Sequence, residues 1–238
     1  MIQIGGIQKL TLIDYPGRLS ATVFLLNCNF RCPFCYSSEL VLPEKTKNQS
    51  CILEKDFFAF LEERKDLLEG VVICGGEPMM NKDLPDFVRK IKEMGYKVKV
   101  DTNGSFPEML EFLIDEKIID YVALDIKAPK EKYNILTGGK VNIKNIEKSI
   151  SILKNKEIDY EFRTTVVPTL LKKEDILKIS RWLFSFPSRK ATRYYLQNFR
   201  PEKTLDPKLE KLKPYPLTYL LEIQRAVSPF FDICQIRE

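Results

Sequence analysis

The sequence predicts an α/β chain built as a partial, open parallel barrel of six strand–helix units. Three observations carry that reading. Short runs rich in Val, Ile, Leu, Tyr and Phe alternate with stretches whose apolar residues recur at helical spacing. The connections between them are short, as parallel strands with right-handed crossovers require. The chain has 238 residues, whereas a full eight-unit barrel usually needs about 250.

The elements follow in order. Residues 2–15 (IQIGGIQKLTLIDY) suit a hairpin, and 21–27 (ATVFLLN) a first barrel strand leading into a cysteine-rich loop. A helix is expected over 54–68 and a buried strand over 70–74 (GVVIC), ending in Gly-Gly. A helix at 83–95 closes on Gly95, and the strand 96–104 ends at Asn-Gly. Pro107 suits the first turn of a helix over 106–117, and proline stops the strand 120–129. A helix at 142–156 precedes the strand 159–168, and a helix at 173–184 precedes the strand 192–199. The tail reads as one more helix and a last strand. One domain is expected over 1–238, with a core of about residues 18–200 and a C-terminal extension of about 201–238.

Hydrophobic residues make up 44% and charged residues 30%, the balance of a globular chain with a real core. The first ten residues lack a signal-peptide pattern, and no apolar run reaches membrane-spanning length; a cytoplasmic protein is expected. The net charge of +5 is spread along helix faces with acids interleaved. That describes a solvated mixed surface rather than a nucleic-acid patch. The many Lys, Glu and Ile residues hint at a heat-adapted source.

Chemistry concentrates at strand ends. Cys28, Cys32 and Cys35 lie in CNFRCPFC after the first barrel strand, in a chain with no histidine. Soft thiolates select zinc, copper(I) or iron–sulfur clusters. Structural zinc is normally closed by four ligands. Three close cysteines suit a cubane cluster with one iron left open, with zinc or a redox thiol loop as alternatives. Cys51, Cys74 and Cys234 stand alone and are expected as small core residues.

Gly75, Gly76, Glu77 and Pro78 (GGEP) follow the second barrel strand, where residues without Cβ let backbone approach a ligand; a plain turn is the alternative. Asp101, Thr102, Asn103 and Gly104 (DTNG) end the third, either as a turn or as groups that reach sugar hydroxyls or a cation. Asp125 and Lys127 share one face of the fourth strand's end (LDIKAP), and charges there must be paired or used. Arg163 lies in the fifth strand, and Gln197 and Asn198 end the sixth. In parallel α/β folds the carboxyl ends of strands build the site, so these segments are expected to converge on one mouth.

The cysteine motif with an aromatic residue before the third cysteine, GGEP after the next strand and the partial barrel together resemble the radical S-adenosylmethionine (radical SAM) enzymes over nearly the whole chain. GGIQKLTLIDYPGRLSATVFLLNCNFRCPFC, with DTNG and LDIKAP, is more narrowly similar to activating enzymes of glycyl-radical enzymes, of the anaerobic ribonucleoside-triphosphate reductase and pyruvate formate-lyase types. The resemblance implies that Cys28, Cys32 and Cys35 hold a [4Fe–4S] cluster whose fourth iron chelates S-adenosylmethionine. It implies that Phe34 helps place the adenine and that Gly75, Gly76, Glu77 and Pro78 hold the methionyl amino group. Asp101 and Thr102, with Asp125, match a pattern that holds a monovalent cation in a relative, and Asn103 belongs to the same polar cluster. Lys127 would neutralise the methionyl carboxylate, with Arg163 as a further contact. The chemistry would belong to the cofactors: one-electron cleavage to methionine and a 5′-deoxyadenosyl radical, which takes a hydrogen from a glycine of a partner protein.

The implied partners are a glycyl-radical enzyme, which would meet loops and residues 199–238, and an electron donor such as flavodoxin or ferredoxin. Tyr36-Ser37 stands where many relatives have histidine after the third cysteine. Only Cys51 separates Cys35 from Cys74, so no second cluster is expected. A radical enzyme acting on a small molecule and a non-catalytic zinc or electron-transfer protein are the competing readings.

Overall fold

In the computed structural model, which describes residues 2–47 and 50–237, the chain packs as two compact units. The first comprises the described residues of Met1–Asn29, Glu39–Thr102 and Glu108–Val122; the second comprises those of Phe30–Ser38, Asn103–Pro107 and Ala123–Glu238. The outermost positions of the single-domain expectation, 1 and 238, lie outside the described residues.

The first unit begins with β1 (Ile4–Thr11) and β2 (Ser20–Leu25), which pair antiparallel, Ile4 opposite Leu25 and Thr11 opposite Ser20. The hairpin expected within residues 2–15 is therefore one strand, and its partner is the first barrel strand. β2 pairs in parallel with β3 (Gly70–Gly75), Ala21 beside Val71 and Leu25 beside Gly75. β3 pairs in parallel with β4 (Lys97–Thr102), Val72 beside Lys99. Between the strands run α1 (Ser38–Val41), α2 (Pro43–Thr46), α3 (Glu54–Glu63) and α4 (Leu84–Glu93), and after β4 comes α5 (Pro107–Asp115). The short α1 and α2 follow the cysteine loop and carry no periodicity long enough to read.

β3 is apolar because both of its faces are covered, and β4 turns its valines into the same core. Val71, Val72, Ile73, Val98 and Val100 are fully buried. Phe57 of α3 stacks on Phe87 of α4 with ring centroids 5.4 Å apart, and the Tyr96 hydroxyl donates to the Leu61 carbonyl at 2.5 Å.

β5 (Tyr121–Asp125) begins in the first unit and ends in the second. The second unit continues with α6 (Tyr133–Leu136), α7 (Ile143–Asn155), β6 (Asp159–Val166), α8 (Lys173–Phe184), β7 (Arg193–Asn198), α9 (Leu217–Val227) and β8 (Ile233–Arg237). β6, β7 and β8 pair in parallel, Arg163 beside Tyr195 and Gln197 beside Arg237. The helix and final strand expected of the tail are α9 and β8. On β6 the residues Tyr160, Phe162, Thr164 and Val166 are buried on one face, and polar Glu161, Arg163 and Thr165 take the other. That alternation gives the second unit a polar strand face. No helix among the described residues is long and apolar enough to cross a membrane.

Candidate functional site

Each unit carries its own part of the motifs. In the first unit, β3 ends at Gly75, whose neighbour Gly76 donates its N–H to the Leu25 carbonyl at 2.9 Å. Glu77 N–H then donates to the Asn27 carbonyl at 2.8 Å, and Asn27 N–H donates to the Leu40 carbonyl at 2.7 Å. A Cβ on Gly76 would sit 1.8 Å from the Asn27 oxygen. The glycine thus makes room for the chain's own backbone, one residue before Cys28. Asn27 itself takes a positive φ of 74°, a conformation asparagine tolerates better than most residues.

Glu77 is buried, and its Oε1 accepts from Met79 N–H at 3.1 Å and from the Thr102 hydroxyl at 2.7 Å. One carboxylate therefore braces the end of β3 against the end of β4, joining two of the expected site motifs. Pro78 opens the short 3₁₀ turn that follows. On β4, Lys99 is fully buried and its ammonium pairs with Asp101. Its Nζ lies 5.9 Å from the ring centroid of Tyr121, within cation–π range. The sequence reading passed over Lys99, although Lys97, Lys99 and Asp101 alternate with Val98 and Val100.

The second unit holds Cys32 and Cys35 in a turn closed by Cys35 N–H donating to the Cys32 carbonyl at 3.0 Å. Phe34 between them is buried. This loop is clamped by backbone from two later segments. Arg31 N–H donates to the Thr137 carbonyl at 2.8 Å, while Asp206 N–H donates to Pro33 at 2.9 Å and Leu205 N–H to Cys35 at 2.8 Å. No sequence signal named residues 137 and 205–206, because such bonds use main chain and leave no side-chain signature.

Gly138 is the one side-chain choice the clamp dictates. Its φ is +68°, and a Cβ there would lie 2.2 Å from the Arg31 carbonyl oxygen. Gly138→Ala is expected to cost about 2 kcal/mol or more through the strained φ and the clash with backbone. Gly139→Ala, with open space around it, should be close to neutral. Thermal melts of the two variants check the contrast, and iron uptake should fall only in the first.

Asp125, Lys127 and Arg163 come together as an ion triad. Arg163 Nε donates to Asp125 Oδ1 at 2.8 Å, and Lys127 Nζ donates to Oδ2 at 3.0 Å. Burial alone would raise the Asp125 carboxyl, but the two cations override it and hold the group well below the usual carboxylate range. Burial works against the charge on Lys127 as well, and Asp125 together with the nearby Cys32 sulfur pushes its pKa above the ordinary lysine value. Of the two expectations for these charges, paired or used, the structure shows the pairing, with Arg163 as the second cation. Asn103 Oδ1 accepts from the N–H of Ser105 at 3.0 Å and from its hydroxyl at 2.5 Å, a side-chain turn. Asn198 reaches the Tyr215 carbonyl at 3.0 Å, and Thr165 meets Gln197 at 3.5 Å.

Next to Arg163 on the polar face of β6, Glu161 is fully buried and binds Arg237 of β8 through both oxygens, at 2.6 and 2.8 Å. The Arg237 guanidinium carbon lies 3.5 Å from the Tyr195 ring centroid. The E-x-R-x-T alternation of β6 was a readable signal for Glu161; nothing in the tail marked Arg237.

No disulfide joins the six cysteines, and Cys51, expected as a small core residue, is exposed, while Cys74 and Cys234 are half-buried. Cys28 belongs to the first unit and Cys32 and Cys35 to the second. Among the described residues, no group of three Cys, Asp or Glu stands ready to hold a metal ion within one unit. The donor chemistry fits an iron–sulfur cluster: three thiols within eight residues, none consumed in a disulfide, one of them near the Lys127 ammonium.

The model of the Radical SAM superfamily matches residues 22–183. A Methanocaldococcus jannaschii protein provisionally named glycyl-radical enzyme activating enzyme MJ1227 is 35% identical over 241 residues, covering 98% of this chain and 95% of that protein. A second protein of that organism, provisionally named glycyl-radical enzyme activating enzyme MJ1632, is 28% identical over 93% of this chain and 82% of its own length. Among solved structures, Streptococcus suis SuiB bound to precursor peptide SuiA superposes with a TM-score of 0.66 at 17% identity, over 90% of this chain and 47% of SuiB. That likeness concerns the fold alone. With the family model spanning most of the chain and a relative matching it from end to end, the chain belongs to the radical SAM superfamily, whose members use a [4Fe–4S] cluster and S-adenosylmethionine.

Proposed function

We propose that this radical SAM enzyme activates a glycyl-radical enzyme, an anaerobic ribonucleotide reductase being the partner. The observation that carries the reading is the end-to-end match to a protein named for that activity, 35% identical with 98% of this chain covered. Cys28, Cys32 and Cys35 would hold the cluster. Bound together, the cluster and S-adenosylmethionine would supply one-electron reductive cleavage to methionine and 5′-deoxyadenosine, coupled to removal of the Cα hydrogen of the partner's glycine.

The chain's residues bind and orient. Lys127 and Arg163 present fixed positive charge for the methionyl carboxylate. The backbone of Gly75–Pro78, braced by Glu77 on Thr102, faces the methionyl amino group, with Asp101 and Asn103 toward the ribose. Phe34, buried between two of the cysteines, offers its ring to the adenine. Residues 199–238 would meet the partner. Leu205 and Asp206 hydrogen-bond directly to the cysteine loop, so a protein docking there acts on backbone that supports Cys35. Flavodoxin or ferredoxin would supply the electron.

The test is anaerobic. The reconstituted chain, S-adenosylmethionine, a strong reductant and the anaerobic ribonucleotide reductase of the same genome are mixed. The expected result is a glycyl-radical signal in electron paramagnetic resonance, together with 5′-deoxyadenosine. A triple Cys28/Cys32/Cys35→Ala variant should give neither. Cleavage of S-adenosylmethionine that is stimulated by a small molecule while no tested glycyl-radical enzyme gains a radical would overturn the reading. One zinc per chain with no cleavage would overturn the cofactor assignment as well.

A further inference from the structure

We infer that Lys99 is a built-in cation: its ammonium holds the Asp101 carboxylate in the role a monovalent metal ion would fill, and the chain needs no such ion. Lys99 and Asp101 project from the same face of β4, two residues apart, and form an ion pair with Lys99 fully buried. The aliphatic stem and ammonium lie over an apolar floor. Tyr121 stands 5.9 Å from Nζ and packs on Tyr15 with ring centroids 5.9 Å apart. Val72, beside Lys99 in the sheet register, joins the same cluster.

Burying an ammonium costs several kcal/mol before its partner repays it. Leucine or methionine would fill that volume without the cost. A lysine kept there is explained by the carboxylate it serves. A metal ion on Asp101 would place a second positive charge about 4 Å from the ammonium. At an effective dielectric near 20 that repulsion is about 4 kcal/mol, enough to lower ion occupancy roughly a thousandfold.

The other carboxylate that the family resemblance assigns to a cation is Asp125, in the second unit. It is already held by Arg163 at 2.8 Å and Lys127 at 3.0 Å. Each of the two acids thus has a permanent cation of the chain's own. Lys99 acts through Asp101, as a positioning residue: it fixes the carboxylate's direction. The inference concerns the S-adenosylmethionine site proposed above, but its primary test uses the chain without that ligand.

The experiment melts the wild type, Lys99→Met and Lys99→Met/Asp101→Asn at constant ionic strength in sodium, potassium or tetramethylammonium chloride. The wild type should melt at the same temperature in all three salts. Lys99→Met should melt several degrees lower in tetramethylammonium and recover part of the loss in sodium or potassium, because a small ion can take the place the ammonium has left beside the carboxylate. The double variant should show no such recovery.

Wild-type affinity for S-adenosylmethionine on the reconstituted enzyme, measured by calorimetry, should be unchanged by the same salt exchange. A wild type whose melting or ligand affinity requires sodium or potassium overturns the inference. So does a Lys99→Met protein that folds and gains no ion dependence. If Lys99→Met does not fold, Lys99→Arg takes its place: it should stay ion-independent, and an acquired ion requirement counts against the inference. Failure to find a glycyl-radical partner leaves all these readouts intact.

Discussion

Gly76→Ala is expected to remove several kcal/mol of stability and to abolish ordered iron binding, although residue 76 touches no metal. The added Cβ would lie 1.8 Å from the Asn27 oxygen, 2.5 Å from its carbonyl carbon and 3.2 Å from its nitrogen. All three atoms are backbone, so no side-chain rotation relieves the overlap. The 25–27 segment or the 75–77 segment must move by more than 1 Å. Either movement breaks Gly76 N–H to Leu25 or Glu77 N–H to Asn27. Each broken bond leaves a buried polar group unpaired, at about 1–3 kcal/mol. Asn27, already at positive φ, has little freedom to yield.

The total, about 3–5 kcal/mol, is a large part of the 5–15 kcal/mol that stabilises a typical domain. Cys28 directly follows Asn27 and moves with it. Gly95→Ala is the control: its φ is +94° but nothing lies within 4 Å of where a Cβ would stand, so only the conformational penalty of about 1 kcal/mol applies. Urea denaturation of both variants, with iron and sulfide content after reconstitution, checks the difference. Equal losses in the two variants would remove the clash as the cause.

Most of the secondary structure was legible because alternating strands and amphipathic helices write their period into the sequence. The strand expected over 70–74 is Gly70–Gly75, and the helix expected over 173–184 is Lys173–Phe184. The helix over 54–68 stops early, at Glu63, since charged residues at 62–66 continue a helical composition without a face to bury. The N-terminal pairing was misplaced for a related reason. Residues 2–15 hold a turn-like Gly5-Gly6, yet those glycines lie inside β1, where register shifts accommodate them. A strand's partner is a long-range choice that local composition does not record.

At the site, side chains with unusual chemistry could be named in advance, and Asp125 and Lys127, whose spacing put them on one face, are paired. What could not be read was which backbone supports the cysteine loop. The bonds from Arg31, Leu205 and Asp206 join residues up to about 170 positions apart and involve no particular side chain. Arg237 escaped for the same cause, since its partner Glu161 is 76 positions away. Lys99 is legible in the sequence, for a lysine two residues before an aspartate on a strand with buried valines obeys the same rule that singles out Asp125 and Lys127.

Asp125→Ala is expected to destabilise the chain by about 2–3 kcal/mol, below the loss for a fully buried ion group because Asp125 is half-buried, while its partners stay charged. Here two partners stay, Arg163 and Lys127. Asp125→Asn keeps an acceptor oxygen and should lose less. The pH dependence identifies the cause. Asp125 ionises in the folded chain at a lower pH than in the unfolded one, whose carboxyl titrates near 3.9. Below that value the unfolded chain takes up a proton that the folded chain does not, so acid draws the equilibrium toward unfolding. The contribution of Asp125 is therefore complete above about pH 5 and is lost as pH falls below about 4 toward the folded value. The stability difference between wild type and Asp125→Asn, from urea denaturation, should stay constant from pH 5 to 8 and shrink between pH 4 and 3. A difference that instead changes around pH 6–8 would mean that another group carries the effect, and a difference that never shrinks in acid would mean that packing, not charge, is what Asp125 supplies.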